Sequence, residues 1–328
     1  MPTFLATKKM PPALRARLEA SVRGASRSKA ETSSSGRRRL VASFARVFLV
    51  VLLVLAARSF VSFRNAQVSE LERARAALSN DVRAHSAALS EGEKGIVARI
   101  SPWLVEASSG YAGDVVDDEL RKDGVGAWLS RPTVYVRGPI AAFGAPKTLA
   151  EAAAASRKDP LLVCLIEPPK TRDERNVLEK VRAVYMGGAE TRTPNVALLH
   201  EAIVGLPFLA PSWEANVADA KGARDLGRLR VELEKAPIEG AKKAARAQLL
   251  VYAMDEPGRG TGPSELDGER VHDVRVGLVE LASGRVLLRV KKTVDPSWMS
   301  STARVVYASG MDACLLAMDV RAAASPPK

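Results

Sequence analysis

The sequence predicts an α/β domain, a mixed sheet with an antiparallel hairpin and covering helices, preceded by one transmembrane helix and a helical stalk. Three observations predict it. Residues 40–63 are an almost unbroken apolar run. The runs at 161–166 (LLVCLI) and 249–253 (LLVYA) have the length and continuous apolarity of buried strands, with helical patterns between them. Strand patterns at 274–281 and 285–290 face each other across Ser283 and Gly284 and predict a hairpin, antiparallel by necessity.

Residues 1–39 read as a cytoplasmic tail. Ten basic side chains stand there against Glu19 and Glu31, so +8 of the chain's formal +12 lies ahead of the apolar run. Two more charges, Arg46 and Arg58, lie inside it, so the rest of the chain is nearly neutral. A basic globular nucleic-acid binder is therefore excluded, and aromatics at 5% are too few for base stacking. The polar, basic stretch 26–39 is expected to be disordered. Ahead of it Leu14, Leu18 and Val22 recur every four residues, a pattern for resting on anionic lipid; the alternative is a tail that only orients insertion.

Residues 40–63 supply the membrane helix. As a helix these 24 residues are about 36 Å long, against roughly 30 Å of hydrocarbon. Arg46 and Arg58 bracket the dry centre at 47–57 and are close enough to its ends for their side chains to reach the interface. A cleaved secretory signal is the rival reading, because its apolar core would also suit 47–57. The twenty residues before the run hold six basic side chains and the twenty after it four, with Arg37, Arg38 and Arg39 at the edge. That bias puts the amino end in the cytoplasm and the large carboxy-terminal part across the membrane. The Ala/Arg-rich style and the absence of glycosylation sequons suit a bacterial inner-membrane protein with a periplasmic domain.

Residues 64–95 read as a stalk and hinge. Val68, Leu71, Leu78, Val82 and Leu89 fall on heptad a and d positions, interrupted by Arg75 and His85. A homodimer through this seam is one expectation; packing of the stalk on the domain is the other. SEGEKG at 90–95 reads as the hinge. The domain at 96–328 opens with a helix around Val97, Ile100 and Leu104, where Pro102 is expected near an end or a kink. A strand follows at 133–136, then a helix at 149–156 with Thr148 and Glu151 as its capping box. Further helices are expected at 172–185 (stopped by Gly187 and Gly188), 194–204, 212–235, 237–247 and 300–321. In the second hairpin arm Val286, Leu288 and Val290 are expected on one face and Arg285, Arg289 and Lys291 on the other, with Leu287 the exception.

No catalytic constellation stands out, and no cofactor or metal is implied. HEAIV at 200–204 lacks the second histidine of a zinc helix, and there is no G-x-S-x-G. Ser26 and Lys29 match S-x-x-K but lie in the tail. Gly258, Gly260 and Gly262 lack the lysine and helix of a phosphate loop and read as a connection. The candidate interaction loop is 255–273, where Asp255, Glu256, Glu265, Asp267, Glu269 and Asp273 stand beside His272 against only Arg259 and Arg270. It reads as a solvated loop, a face for a basic partner, or an oxygen site for Ca²⁺. In the rival enzyme reading Asp255, Glu256 and His272 would be acid–base groups. Cys164 and Cys314 are either small buried apolar residues or, across a membrane, a disulfide closing a long loop.

The strand LLVYAMDE, the loop, the hairpin VRVGLVELASGRVLLRVKKTV and the final helix, residues 249–321, resemble the end of small α/β domains in bacterial envelope proteins. These include the amino-terminal domain of TolB, the curli secretion lipoprotein and the lipoprotein activators of penicillin-binding proteins. The resemblance implies an envelope binding module and carries over no catalytic residue. The helices at 194–247 and the missing lipobox depart from it. The expected function is a non-catalytic, membrane-anchored envelope protein that binds a protein or an envelope polymer, with no specific nucleic acid.

Overall fold

The computed structural model describes residues 35–156, 159–187, 195–258 and 270–326. The tail ahead of residue 35 lies outside the described residues, as do Gly260, Gly262, Glu265, Asp267 and Glu269 of the acidic loop. The chain divides into a unit ending at Ser69 and a unit of residues Glu70–Lys328.

The first unit holds most of helix α1, Ser35–Ala87. From Phe48 onward this helix is long and apolar enough to cross a membrane, and the apolar window is not buried among the described residues. The side chains of residues 48–55 are between 48% and 65% exposed. A core helix of a soluble domain would be mostly buried, so this one has its greasy surface left for another medium.

The second unit is built on one six-stranded mixed sheet of order β1-β6-β5-β4-β2-β3. The strands are β1 (Val115–Val116), β2 (Thr133–Pro139), β3 (Val196–Leu198), β4 (Leu249–Asp255), β5 (His272–Glu280) and β6 (Val286–Val294). β2 lies between β3 and β4 and runs parallel to both. From β4 outward through β5, β6 and β1 the pairing is antiparallel. Every residue of β4 is buried, as a central strand with helices on both faces requires.

Two apolar clusters lie on the two sides of the sheet. On the first side pack α3 (Ile96–Ser109), α6 (Pro146–Ala155), α9 (Leu199–Gly205), α10 (Pro211–Asp219), α11 (Ala223–Lys235) and α12 (Ile238–Ala245). On the second side pack α4 (Asp118–Asp123), α5 (Val125–Trp128), α7 (Leu161–Ile166), α8 (Glu174–Gly187) and α13 (Ser301–Ala323).

Several expectations are corrected. Residues 161–166 form helix α7, not a central strand. A run that is apolar all round has no period, so burial on every side cannot separate strand from helix. The deciding signal stands just ahead of it: Asp159 Oδ1 accepts the Leu161 N–H at 3.0 Å and Pro160 already has helical dihedrals. The heptad residues Leu78, Val82 and Leu89 are buried in the first core cluster, and Arg75 Nη2 donates to the Ala220 carbonyl at 2.7 Å. That part of the seam is covered by the domain itself. The hinge at 90–95 is the short helix α2 (Glu91–Lys94) with Ser90 and Glu93 as a capping box. Pro102 stands inside α3 rather than near its end. Thr148 does not cap α6, which starts at Pro146; its hydroxyl hydrogen-bonds to the Ala142 and Ala145 carbonyls.

The helix expected over 212–235 is two, α10 and α11, broken around Gly222. The two short edge strands β1 and β3 were not expected; neither has room for a readable alternation. In the hairpin a register shift opposite Leu278 and Val279 bulges Leu287. The bulge reverses the phase, so Val286 packs on the first cluster while Leu288 and Val290 belong to the second.

Cys164 on α7 and Cys314 on α13 are joined in a disulfide, with Cα atoms 5.1 Å apart and a sequence separation of 150. Closing so long a loop restricts the unfolded chain. The double variant Cys164→Ser/Cys314→Ser is expected to lose about 2–5 kcal/mol, read as a lower guanidinium midpoint, and reductant should shift the wild type the same way.

Candidate functional site

Strand alternation places Tyr135 and Arg137 of β2, Asp255 at the end of β4 and His272 at the start of β5 on the second face of the sheet. They gather where the parallel strands β2 and β4 end at their carboxyl termini, the usual place for a ligand crevice in an open α/β sheet. A cavity of about 580 Å³ opens there. Its walls are mostly apolar, from Pro139, Ala141, Ala142, Ala152 and Ala155, and its polar floor includes Arg137, Asp159, Asp255, His272 and Asp312. Gly138 lets α6 form one wall, because a Cβ there would come within 2.6 Å of the Ala152 Cβ.

Arg137 organises the floor. Its Nη2 donates to Asp255 Oδ1 at 2.8 Å and its Nε to Asp255 Oδ2 at 3.1 Å, a two-pronged pair. Its Nη1 donates to Asp159 Oδ1 at 3.1 Å. Asp159 also accepts from the Tyr135 hydroxyl. The Ser156 hydroxyl accepts the Arg137 N–H at 2.8 Å, tying the end of α6 to the strand. Burial works against the Arg137 charge, but the Asp255 and Asp159 carboxylates outweigh it and raise its pKa. Burial also opposes ionisation of Asp255, yet Arg137 and His272 hold its carboxyl down at about 2.

His272 Nδ1 lies 2.9 Å from the Arg270 carbonyl, which can only accept, so this nitrogen carries a proton. Its Nε2 is 3.3 Å from Asp255 Oδ1, near enough for ion pairing but not aligned as a hydrogen bond. Burial disfavours the imidazolium; the Asp255 carboxylate and the Arg270 carbonyl overcome it and raise the pKa. Asp312 is 3% exposed. Its Oδ1 accepts from Trp298 Nε1 at 3.2 Å and its Oδ2 has no hydrogen-bond partner among the described residues. Burial pushes its carboxyl up to about 6, against the pull of the Trp298 hydrogen bond, His272 and Arg137 and with the push of Asp295.

The acidic loop is divided by the same alternation. Asp255 and His272 meet in the cavity, whereas Glu256 and Asp273 face the first side. There Glu256 accepts from Arg275 Nε at 2.6 Å and from Lys291 Nζ at 2.7 Å, and Asp273 accepts from the Thr293 hydroxyl at 2.6 Å. Asp255, Glu256 and His272 therefore do not converge as one acid–base set. Among the described residues no group of three or more His, Cys, Asp or Glu side chains is placed to hold a metal ion.

Tyr135, Arg137, Asp159 and Asp312 were not singled out from sequence. The lone arginine inside the strand TVYVRGP was the available signal, since a charge midway through a buried strand requires partners. No protein-family model matches this chain, and no curated protein or solved structure matches it.

Arg137→Met leaves two buried carboxylates without their cation and is expected to destabilise the domain by about 3–5 kcal/mol in a denaturant titration. Adding Asp159→Asn and Asp255→Asn should recover much of that loss. Asp312 binds its proton more tightly folded than unfolded, so its contribution to stability falls as pH rises from about 4 to about 6. The His272 contribution falls as pH rises through its raised pKa, and that of Asp255 disappears as pH drops from about 4 toward 2. From these three groups melting temperature should thus peak near pH 4. Asp312→Asn should flatten the profile between about pH 4 and 6 and stabilise the protein at neutral pH by about 2 kcal/mol.

Proposed function

We propose that this chain is a single-pass envelope protein of the bacterial inner membrane. Its amino end lies in the cytoplasm, and its α/β domain lies across the bilayer and binds an envelope protein or polymer without catalysing a reaction. The observation that carries this reading is the bare apolar helix at 48–55, whose side chains are left uncovered among the described residues and which lipid would cover. The basic bias ahead of it supports the orientation. The buried Cys164–Cys314 pair supports an oxidising compartment for the domain.

The cavity at the ends of β2 and β4 is the binding site in this reading. Its ions favour recognition over turnover: Arg137 is held between two carboxylates, Asp255 titrates far below neutrality, and His272 is biased toward its charged form. A general base needs a pKa near the working pH and a free lone pair. One group favours a second reading, a tethered enzyme. Asp312 titrates at about 6 in the same cavity, a value suited to proton transfer.

A reporter active only in the periplasm, fused after Lys328, is expected to be active, and the full chain should resist extraction by alkaline wash. A cytoplasmic reading, or recovery of the chain in the soluble fraction, overturns the membrane assignment. A photo-crosslinking residue at Ala142, on the cavity wall, is expected to capture an envelope component, and Ala152→Trp, which fills the cavity, should abolish the capture. Turnover of a hydrolase panel that is lost on Asp312→Asn would favour the enzyme reading instead.

A further inference from the structure

A second cavity of about 390 Å³ lies on the opposite face of the sheet, between the end of α3 and strands β4, β5 and β6. Sheet register builds its floor. Tyr252 of β4 pairs with Gly277 of β5, and Gly277 pairs with Arg289 of β6, so the three form one row across the strands. With no side chain at Gly277 the Tyr252 ring lies across the middle strand. A Cβ at Gly277 would fall 2.1 Å from Tyr252 Cζ and 2.4 Å from its hydroxyl oxygen. The tyrosine hydroxyl is thereby carried toward Arg289, whose charge acts on it.

Two groups in this row are left with bonding capacity. Tyr252 is 5% exposed, and among the described residues its hydroxyl makes no hydrogen bond. Arg289 donates Nε to the Gly113 carbonyl at 2.9 Å and Nη2 to the Ala112 carbonyl at 3.4 Å, but it makes no ion pair among the described residues. The neighbouring cations differ from it: Arg275 and Lys291 are both neutralised by Glu256. Glu106 and Ser109 also line the cavity, and the Glu106 charge acts on the Tyr252 hydroxyl against that of Arg289; the remaining lining is mostly aromatic and apolar. Trp103 packs its ring over Gly284, which has a φ of 73° and no room for a Cβ, and Tyr111 stands beside it. A buried hydroxyl, an arginine that acts on Asp114 at a distance but makes no direct ion pair among the described residues, and two further aromatic rings in one hollow form a recognition set.

We propose that this hollow binds a small ring compound bearing a carboxylate. The carboxylate sits on Arg289, the ring lies against Trp103 and Tyr111, and the Tyr252 hydroxyl supplies the hydrogen bond beside the acid. The same chemistry is offered by aromatic acids and by acidic sugars. The site is separate from the Arg137 cavity and does not depend on what that cavity binds.

The test uses the full chain in detergent micelles, with phenylacetate and glucuronate as probes and phenylacetamide as the uncharged control. Saturation-transfer NMR is expected to show ring contact for at least one acid at millimolar concentration, and which acid binds tells the two sources apart. The amide should bind about tenfold more weakly, and Arg289→Gln should weaken the acid by about the same factor. Because Arg289 also tethers residues 112 and 113, Tyr252→Phe is the second variant. It keeps the ring and the fold and should still weaken binding severalfold. Trp103→Phe should remove the ligand-induced change in tryptophan emission, and Asp312→Asn, in the other cavity, should change nothing. Failure of both acids to bind overturns the proposal, as does equal affinity for acid and amide, or binding unchanged in Tyr252→Phe.

Discussion

A largely buried guanidinium on the floor of a crevice sets the terms for the carboxyl-terminal unit. Arg137 stands on β2 where its neighbours are buried, and its charge is tolerable only because Asp255 and Asp159 reach it from two other segments. Asp255 ends β4, so the pair fixes β4 beside β2 at the rim of the crevice. Asp159 precedes α7, so the same cation sets where that helix begins. His272, at the head of β5, then answers the charge on Asp255. Strand ends, helix start and cavity floor are consequences of housing one positive charge.

The sequence revealed those parts of the fold whose period differs from their surroundings. The hairpin and α13 were legible because each couples a clear apolar pattern to a boundary signal, such as Ser300 capping α13, whereas β4 was read from the same kind of period-free apolar run as α7. The α7 segment was not legible, because a fully surrounded run carries no periodicity and only the Asp159–Pro160 pair betrays its helical start. The phase reversal at Leu287 left a visible trace, a third consecutive apolar residue in an otherwise alternating arm. Its meaning as a bulge came only from the pairing with β5.

The site was half legible for a related reason. Charge density drew attention to 255–273, and two of its members, Asp255 and His272, do lie in the crevice. Density says nothing about direction, however. Adjacent residues on a strand point to opposite sides, so Asp255 and Glu256 serve different faces, and so do His272 and Asp273. Arg137 and Asp312 are single charges in apolar surroundings and Asp159 follows Arg157 and Lys158; the three are scattered over the chain, and only the fold brings them together. The same holds for Tyr252, Gly277 and Arg289, which share a row across three strands but no motif.

The sheet's two borders are unusually brief. β1 contributes two residues against nine in β6, and β3 three against seven in β2, so each border is covered by a strand over only part of its length. Chains held on a common surface meet one another far more often than freely diffusing ones. The margins themselves are too short for a neighbouring copy to zip onto, so any shared ribbon would have to form on the uncovered lengths of β6 and β2 instead.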